Sequence, residues 1–198
     1  MKTIELRRHS IKSGPGDSNL SAEGLELARL VGATALRGRG FTHLLVSSLQ
    51  RTTDTMLAFA EGAGDFTVTE IGRFLTDPDV FGTDNALQLW HGVCYQAELN
   101  GEDMMTAIME QDSVEAEHIA SNATAQLRLW LNSLPADAQV LVVHHSPSLE
   151  LIAYGLFGIT LPQLQPCDGF RILVDGDNLR PISIADDSSL RGTSANIY

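Results

Sequence analysis

Three short apolar segments of the chain each end in a loop that carries arginine or histidine, and this repetition constrains the fold more than any other feature. The segments are Leu6-Arg7-Arg8-His9-Ser10, Val46-Ser47-Ser48-Leu49-Gln50-Arg51-Thr52 and Val142-Val143-His144-His145-Ser146-Pro147. Short uninterrupted apolar runs are typical of strands that are covered on both faces, as in parallel sheets. The carboxyl ends of parallel strands share one edge of the sheet, where ligands bind. The sequence therefore predicts that the three loops meet at one edge.

Strand and helix patterns alternate along most of the chain. Strands are predicted at about 3–7, 41–46, 66–71, 139–143, 170–174 and 180–184, and helices at about 21–36, 47–60, 114–134 and 146–157. This alternation predicts an α/β fold, a three-layer α/β/α sandwich with a mainly parallel central sheet. Residues 73–113 break the rhythm and are interpreted as a small helical insertion, a cap of short helices and loops. One domain is predicted over 1–185, followed by a polar tail over 186–198.

The charge and apolar content exclude several classes of protein. The formal net charge of −12 argues against nucleic-acid binding, which needs a basic face. No apolar run approaches the roughly 20 residues that cross a bilayer, and the first residues read as a strand and not as a signal segment. We therefore expect a cytoplasmic protein with no membrane partner. Cys94 and Cys167 are far apart and predict neither a disulfide nor a zinc site.

Four side chains of the three loops match a small tetrahedral anion. Arg8, His9, Arg51 and His145 come from distant parts of the sequence but follow strands that we expect to end at one edge. The guanidinium fork of arginine fits phosphate oxygens, and the helix N-termini after these loops add backbone N–H donors. Only one of His144 and His145 can easily face the anion, because neighbours on an extended segment point in opposite directions. A metal site formed by both histidines is a rival interpretation, but carboxylate ligands at a convincing spacing are missing.

These segments resemble the motifs of the histidine phosphatase superfamily, which includes cofactor-dependent phosphoglycerate mutases and phosphohistidine phosphatases. The resemblance spans roughly residues 3–155, with serine at 10 and 146 where the family usually has glycine, and at 48 where it often has proline. Its last motif is most similar to the phosphohistidine phosphatase branch. The four motifs are present as Arg8-His9-Ser10, Leu20-Ser21-Ala22-Glu23-Gly24, Ser47-Ser48-Leu49-Gln50-Arg51-Thr52 and Val143-His144-His145-Ser146-Pro147-Ser148-Leu149.

The resemblance implies a phosphatase that forms a phosphohistidine intermediate and needs no metal or cofactor. It implies His9 as the nucleophile and Arg8, Arg51 and His145 as ligands of the phosphate. Ser10 departs from the glycine of the family, so that it either alters the geometry of the loop or adds a hydroxyl donor to the phosphate. Its implied substrate is a phosphorylated small molecule or a phosphohistidine protein. Arg7 and His144 fall outside the motif positions and are interpreted as structural, and Lys12 is interpreted as a solvated lysine.

The proton donor to the leaving group is the least determined residue. Asp77 comes closest to the family spacing, although an acidic loop without a catalytic role fits this stretch equally well and the phosphohistidine branch often lacks the acid. Contact with the leaving group is one interpretation of three aromatic residues of the insertion, Trp90, His91 and Tyr95, but ordinary packing is the preferred one. The other candidate acids are Glu70, Asp79 and Asp84.

Two alternative functions fit the same residues. A phosphoglycerate mutase is disfavoured because the chain is short and Ser10-Ile11-Lys12 lacks the usual continuation of mutases. A non-catalytic phosphate-binding protein is disfavoured by the intact His9 and His145. Turnover of an aryl phosphate without added metal distinguishes an enzyme from a binding protein. The acidic insertion disfavours a multiply anionic leaving group. Its acidic residues are Asp77, Asp79, Asp84, Glu98, Glu102 and Asp103.

Overall fold

The central sheet has six strands in the order β3-β2-β4-β1-β5-β6. The structure is a computed structural model that describes residues 1–66, 71–75 and 84–184. Strands β1 and β4, β2 and β4, and β2 and β3 pair in parallel, whereas β5 is antiparallel to β1 and β6. The sheet is therefore mainly parallel, as predicted. The strands are β1 Lys2–Arg8, β2 His43–Val46, β3 Gly72–Arg73, β4 Gln139–His144, β5 Gly169–Asp175 and β6 Asn178–Ser183.

Two apolar clusters cover the two faces of the sheet. One cluster joins Ile4 and Val142 to buried residues of two helices, α5 and α6, such as Leu127 and Leu149. The other joins alternate strand residues, such as Leu141, to α1 and α2. This arrangement confirms the α/β/α layers. The helices are α1 Ala22–Val31, α2 Gln50–Ala63, α3 Asp84–Asn100, α4 Met104–Gln111, α5 Ser113–Ser133 and α6 Ser148–Phe157.

The first helix follows the prediction at its start and departs from it at its end. Ser21 caps α1, because its hydroxyl accepts the N–H of Gly24 at 2.9 Å. The last residues of the predicted helix, Gly32–Leu36, wind as a π-helical turn and not as α-helix. A Cβ atom at Gly32 would lie 2.2 Å from the carbonyl oxygen of Phe59. Because Gly32 has no side chain, the backbone of this segment can pack directly against the backbone of α2 at Phe59.

The third strand and the insertion differ from their predictions. The described part of the third strand is the two-residue strand β3, just beyond the predicted range 66–71, and it pairs Gly72 with Leu45 and Arg73 with Val46. Residues 67–70 lie outside the described part of the chain. The insertion was predicted to contain short helices, but α3 runs for 17 residues. In the described ranges no helix is both long and apolar enough to cross a membrane. The predicted tail over 186–198 is outside those ranges.

Candidate active site

Strand pairing aligns the loops that carry the predicted phosphate ligands. Arg8 at the end of β1 pairs with His144 at the end of β4, and Val46 of β2 pairs with the neighbouring Val143. Backbone bonds continue past the strand ends, since the N–H of His9 donates to the carbonyl of His144 at 2.9 Å. The three loops therefore leave the sheet at the same edge.

One cavity of about 600 Å³ brings the four predicted residues together. Arg8, His9, Arg51 and His145 all line it. The ring centroids of His9 and His145 are 5.3 Å apart. A volume of this size is in the range of small-molecule sites, so the cavity has room for more than a phosphate group.

The hydrogen bond of His9 determines which ring nitrogen has a lone pair. Nδ1 lies 2.6 Å from the carbonyl oxygen of Ser10, which can only accept, so Nδ1 carries the hydrogen. In the neutral ring the lone pair is then on Nε2. Burial, followed by the charge of Arg51, lowers the pKa of His9 to about 3. The Ser10 hydrogen bond acts in the opposite direction, and the charges of Arg8 and Lys12 lower the pKa by smaller amounts. His9 is therefore a neutral imidazole at pH 7.

The low pKa of His9 predicts a loss of stability on acidification. The unfolded chain binds the proton below pH 6.5 and the folded chain only below about pH 3, so stability falls as the pH decreases through this window. We expect His9 to account for about 2 kcal/mol of the stability lost between pH 8 and pH 5. Urea unfolding of wild type and His9→Asn at both pH values measures this part.

The control for this measurement is His118→Asn, because His118 has a side chain that is 75% exposed. This variant should lose the same stability on acidification as the wild type. A His9→Asn protein that loses as much stability as the wild type between pH 8 and pH 5 would contradict the assignment.

His145 is held at one ring nitrogen. Its Nε2 lies 2.5 Å from Oγ of Ser47, the residue that follows β2. The other ring nitrogen, Nδ1, is buried and has no hydrogen-bond partner among the described residues. Burial is the largest cause that lowers the pKa of His145, followed by the charges of His144 and His9. The hydrogen bond to Ser47 therefore holds the His145 ring in place and leaves Nδ1 for another partner.

Arg8 is anchored at one end of its guanidinium group. Its Nη1 donates to the carbonyl of Leu164, while its buried Nε has no partner among the described residues. Burial lowers the pKa of Arg8, and the charges of Glu150 and Glu98 act in the opposite direction. The anchored guanidinium keeps one orientation, which suits the recognition of phosphate.

The segment 164–168, which we call the 164–168 loop, supports the end of β1 through its backbone. The carbonyl of Asp168 accepts the N–H of Arg8 at 2.8 Å, and the N–H of Cys167 donates to the carbonyl of His9 at 3.4 Å. The Cys167 carbonyl also accepts from Nη1 of Arg7 at 2.7 Å. Cys167 has a φ of +64°, which is uncommon for a residue other than glycine. Residues 7–9 are thus held by a distant part of the chain.

Arg51 lies in the first turn of α2, directly after the loop that follows β2. Its Nη1 donates to the carbonyl of Asp17 at 3.3 Å. The neighbouring Gly16 also lines the cavity. The N-terminus of α2 therefore places a cation beside His9, where its charge contributes to the low pKa of that ring.

The structure does not support Ser10 as a ligand of the phosphate. Its hydroxyl donates to the carbonyl of Gly24 at 2.6 Å, and its N–H donates to Oγ1 of Thr55 at 3.0 Å. A hydroxyl has a single hydrogen to donate, and here that hydrogen fixes α1 to the His9 loop. Ser10 is 1% exposed and does not line the cavity. The expected donor role is corrected to a structural one.

Arg7 and His144 face away from the cavity, as predicted. Nε of Arg7 lies 2.6 Å from a carboxylate oxygen of Glu5, which is fully buried. Nε2 of His144 lies 3.2 Å from the carbonyl of Leu75. His145 lines the cavity and His144 does not. Within the described ranges no group of three or more histidine, cysteine or acidic residues is placed to hold a metal ion.

The sequence interpretation missed a charged pair in the cavity. Lys12, interpreted as solvated, has a side chain only 15% exposed, and its Nζ lies 2.5 Å from Oε1 of Glu98. The partner is distant in sequence on α3, so only the fold reveals the pair. Trp90, His91 and Tyr95, interpreted as packing residues, also line the cavity. The helical spacing of 91, 95 and 98 was the available signal for this face.

The predicted proton donor falls outside the described part of the chain. Asp77 lies in the undescribed range 76–83, as does Asp79, and Glu70 lies in the range 67–70. Asp84 begins α3, and its side chain is not described. The structure therefore does not test which of these carboxyl groups reaches the cavity.

Glu150 is a buried carboxyl group that connects two supports of the site. Its Oε1 accepts the hydroxyl of Ser146 at 2.6 Å and the N–H of Leu164 at 2.8 Å. Burial raises the pKa of Glu150, and hydrogen bonds from these groups oppose the shift. Through Leu164 it links the loop after His145 to the peptide that anchors Arg8. Sequence reasoning did not identify this residue, because its partners become neighbours only in the fold.

Comparisons with known proteins agree with this geometry. The family profile described as histidine phosphatase superfamily (branch 1) matches residues 3–75. Phosphoglycerate mutase from Bacillus anthracis str. Sterne has a similar structure, with a TM-score of 0.67 and 16% identity over 96% of this chain and 95% of that one. Together the motif match and the shared fold confirm the resemblance to the histidine phosphatase superfamily, with a phosphoglycerate mutase-like fold.

Two phosphatases are also similar in structure. Phosphoserine phosphatase from Entamoeba histolytica, in complex with 3-phosphoglyceric acid, has a TM-score of 0.60 and 19% identity over 92% of this chain and 96% of that one. Mycobacterial glucosyl-3-phosphoglycerate phosphatase, in complex with VO3, has a TM-score of 0.57 and 16% identity over 92% and 97%. No curated protein sequence matches the chain. Phosphatases and a mutase thus share this fold.

Proposed function

We propose that this chain is a phosphatase that hydrolyses a phosphomonoester of a small molecule through a phosphohistidine at His9. The main support for this proposal is the state of His9. Its ring is neutral, its Nδ1 donates to the carbonyl of Ser10, and its Nε2 has the lone pair. Arg8, Arg51 and His145 line the same cavity. A neutral nucleophile beside two cations is the combination that phosphoryl transfer needs.

The first chemical step forms a bond between His9 Nε2 and phosphorus and breaks the bond to the leaving oxygen. Negative charge on the phosphoryl oxygens is stabilised by Arg8 and Arg51. The buried Nδ1 of His145, which has no partner among the described residues, would gain a phosphate oxygen as its partner. The leaving oxygen takes a proton, and we retain Asp77 as the proposed donor on its family spacing alone.

The second step transfers the phosphoryl group to water. Water attacks phosphorus and gives one proton to the carboxylate that protonated the leaving oxygen. The bond to Nε2 breaks, and His9 returns to its neutral form as inorganic phosphate leaves. The hydrogen bond from Nδ1 to Ser10 stabilises the positive charge that the phosphorylated ring carries. In this mechanism the nucleophile is the ring itself, so activation of a water by a metal is not required.

A phosphorylated small molecule is the preferred substrate class. The cavity of about 600 Å³ has the size of a small-molecule site. The names of two similar phosphatases specify phosphoserine and glucosyl-3-phosphoglycerate. The resemblance of the His145-Ser146-Pro147 motif to the phosphohistidine branch keeps protein phosphohistidine as a second candidate, to be tested beside the small molecules.

The proposed mechanism predicts a trapped phosphoenzyme. Chelator-treated protein mixed with radiolabelled aryl phosphate and quenched within milliseconds should carry label that is stable to base and lost in acid, as a phosphohistidine is. Peptide mapping should place this label at His9, and steady-state turnover should continue in the chelator.

Each alternative function gives a different result in the same experiment. Binding of a phosphate analogue without label or turnover would indicate a phosphate-binding protein. Label that passes to added phosphoglycerate faster than to water would indicate a mutase. Label at another residue would contradict the role of His9.

A further inference from the structure

A carboxyl group interrupts the apolar start of α6. Residues 149–153 are all buried, and four of these five are leucine, isoleucine or alanine, whereas the fifth is Glu150, which is 1% exposed. Removal of a carboxyl group from water is unfavourable, and apolar side chains of similar volume are often at least as stable in buried positions. A glutamate at this position is therefore better explained by what its oxygens bind than by the stability of the helix.

One oxygen of Glu150 joins two segments that carry proposed phosphate ligands. Its Oε1 accepts the hydroxyl of Ser146 at 2.6 Å and the N–H of Leu164 at 2.8 Å. Ser146 belongs to residues 145–147, which connect β4 to α6 and which we call the 145–147 loop. The family usually has glycine at this position, which lacks the hydroxyl that forms the bond. The carbonyl of Leu164 accepts Nη1 of Arg8, so Leu164 is bonded to Glu150 on one side and to Arg8 on the other.

Glu150 also acts on Arg8 through its charge. Burial lowers the pKa of Arg8, and Glu150 is the largest of the charges that oppose this shift. Burial in turn raises the pKa of Glu150, and Arg8 is among the groups that oppose that rise. Glu150 thus favours the charged form of the Arg8 guanidinium, in addition to fixing the residue whose carbonyl orients it.

We propose that Glu150 is a positioning residue, which aligns Arg8 with the 145–147 loop by holding Leu164 and Ser146 with one oxygen. This inference rests on the proposed phosphatase function and adds the residue on which the geometry of the phosphate ligands depends. Glu150 is not among the described residues that line the cavity, so it acts on bound phosphate through the residues that it holds. Without it the ligands remain but their separation is no longer fixed, and a misplacement of about 1 Å can lower a rate about 10²-fold.

The first variants separate the hydrogen bonds of Glu150 from its volume. Glu150→Leu removes both acceptor interactions and keeps a side chain of similar size. We expect its kcat/KM for an aryl phosphate to fall about thirtyfold, mainly through kcat. Glu150→Gln retains a carbonyl oxygen that accepts from both Ser146 and Leu164, so it should recover most of this loss. Steady-state kinetics give both constants, and urea unfolding shows that each variant is folded.

A double-mutant cycle distinguishes an effect through Arg8 from a general structural effect. In the Arg8→Lys background, Glu150→Leu should lower kcat/KM by no more than about threefold, because the fork that Glu150 aligns is already lost. A general defect would instead lower kcat/KM by the same factor in both backgrounds. If Glu150→Leu does not fold, the same cycle is measured with Ser146→Ala, which removes one of the two bonds and leaves Glu150 in place.

Ile152→Ala is the matched control on α6. Ile152 is 1% exposed, as Glu150 is, but it packs in the apolar core and is not among the described residues that line the cavity. Its truncation lowers stability, and the folded variant should keep the kcat/KM of wild type.

Each outcome decides for or against the positioning role of Glu150. A kcat/KM of Glu150→Leu equal to that of wild type, a loss confined to KM, or an equal factor in both backgrounds overturns it. Glu150→Gln with as little activity as Glu150→Leu, or an equal loss in Ile152→Ala, also overturns it. In these cases the wild type still hydrolyses aryl phosphate, so the phosphatase function stands. Absence of both aryl phosphate turnover and a trapped phosphoenzyme in the wild type overturns the phosphatase function itself.

Discussion

Replacement of His9 by alanine should reduce turnover of any phosphomonoester by at least about 10⁴-fold, because the atom that attacks phosphorus is removed. Binding of inorganic phosphate should persist within a few-fold of wild type, since Arg8 and Arg51 remain in the cavity. Steady-state kinetics and calorimetric phosphate titration measure the two effects. Loss of turnover with retained binding identifies a nucleophile and not merely a ligand.

His118→Ala is the matched control, because this histidine is exposed on α5, outside the cavity. It should keep full turnover and leave no change in phosphate binding. Urea unfolding at pH 8 should show that His9→Ala is folded. Turnover of His9→Ala within about tenfold of wild type would exclude His9 as the nucleophile.

The second large effect is expected for Arg8→Lys, which keeps the charge and removes the fork. Nη1 of the guanidinium donates to the carbonyl of Leu164, and Nε has no partner among the described residues. We expect the group to bind phosphate as a fork. A lysine ammonium is a point charge and cannot hold both positions in this geometry. We expect kcat/KM to fall about 10³-fold, mainly through kcat, because the lost contact acts on charge that develops during transfer.

The control for this change is Arg180→Lys, at an exposed arginine of β6. Its kcat/KM should equal that of wild type. If Arg8→Lys instead raises KM alone, Arg8 binds the ground state and the transition state equally. An unchanged kcat/KM would remove Arg8 from the site.

The sheet and its layers could be predicted because their signals are local. Runs such as Leu44-Leu45-Val46 are short and wholly apolar, which is typical of strands covered on both faces. The strand β3 could not be placed, because a strand of two residues has no alternation to detect. The π-helical end of the first helix depends on the contact of Gly32 with the backbone of Phe59, which only the packed structure reveals.

The meeting of the four proposed phosphate ligands in one cavity could be predicted for a different reason. Arg8, His9 and His145 each stand at a strand end, and Arg51 opens the following helix, so the topology alone brings them together. The role of Ser10 was mistaken, because its acceptor on Gly24 is fixed by how α1 packs against the loop. The ion pair between Lys12 and Glu98 could not be predicted, because no sequence periodicity relates two residues so far apart.

The 164–168 loop has a consequence for how such a protein can diverge. It supports Arg8 and His9 with peptide groups of Leu164, Cys167 and Asp168, not with their side chains. Almost any amino acid can present a carbonyl, so this brace leaves no signature for a motif search, and the family match over 3–75 ends far before it. A fragment that ended after the second histidine motif would retain all the recognisable motif residues and lack the backbone contacts that hold Arg8 and His9 in place.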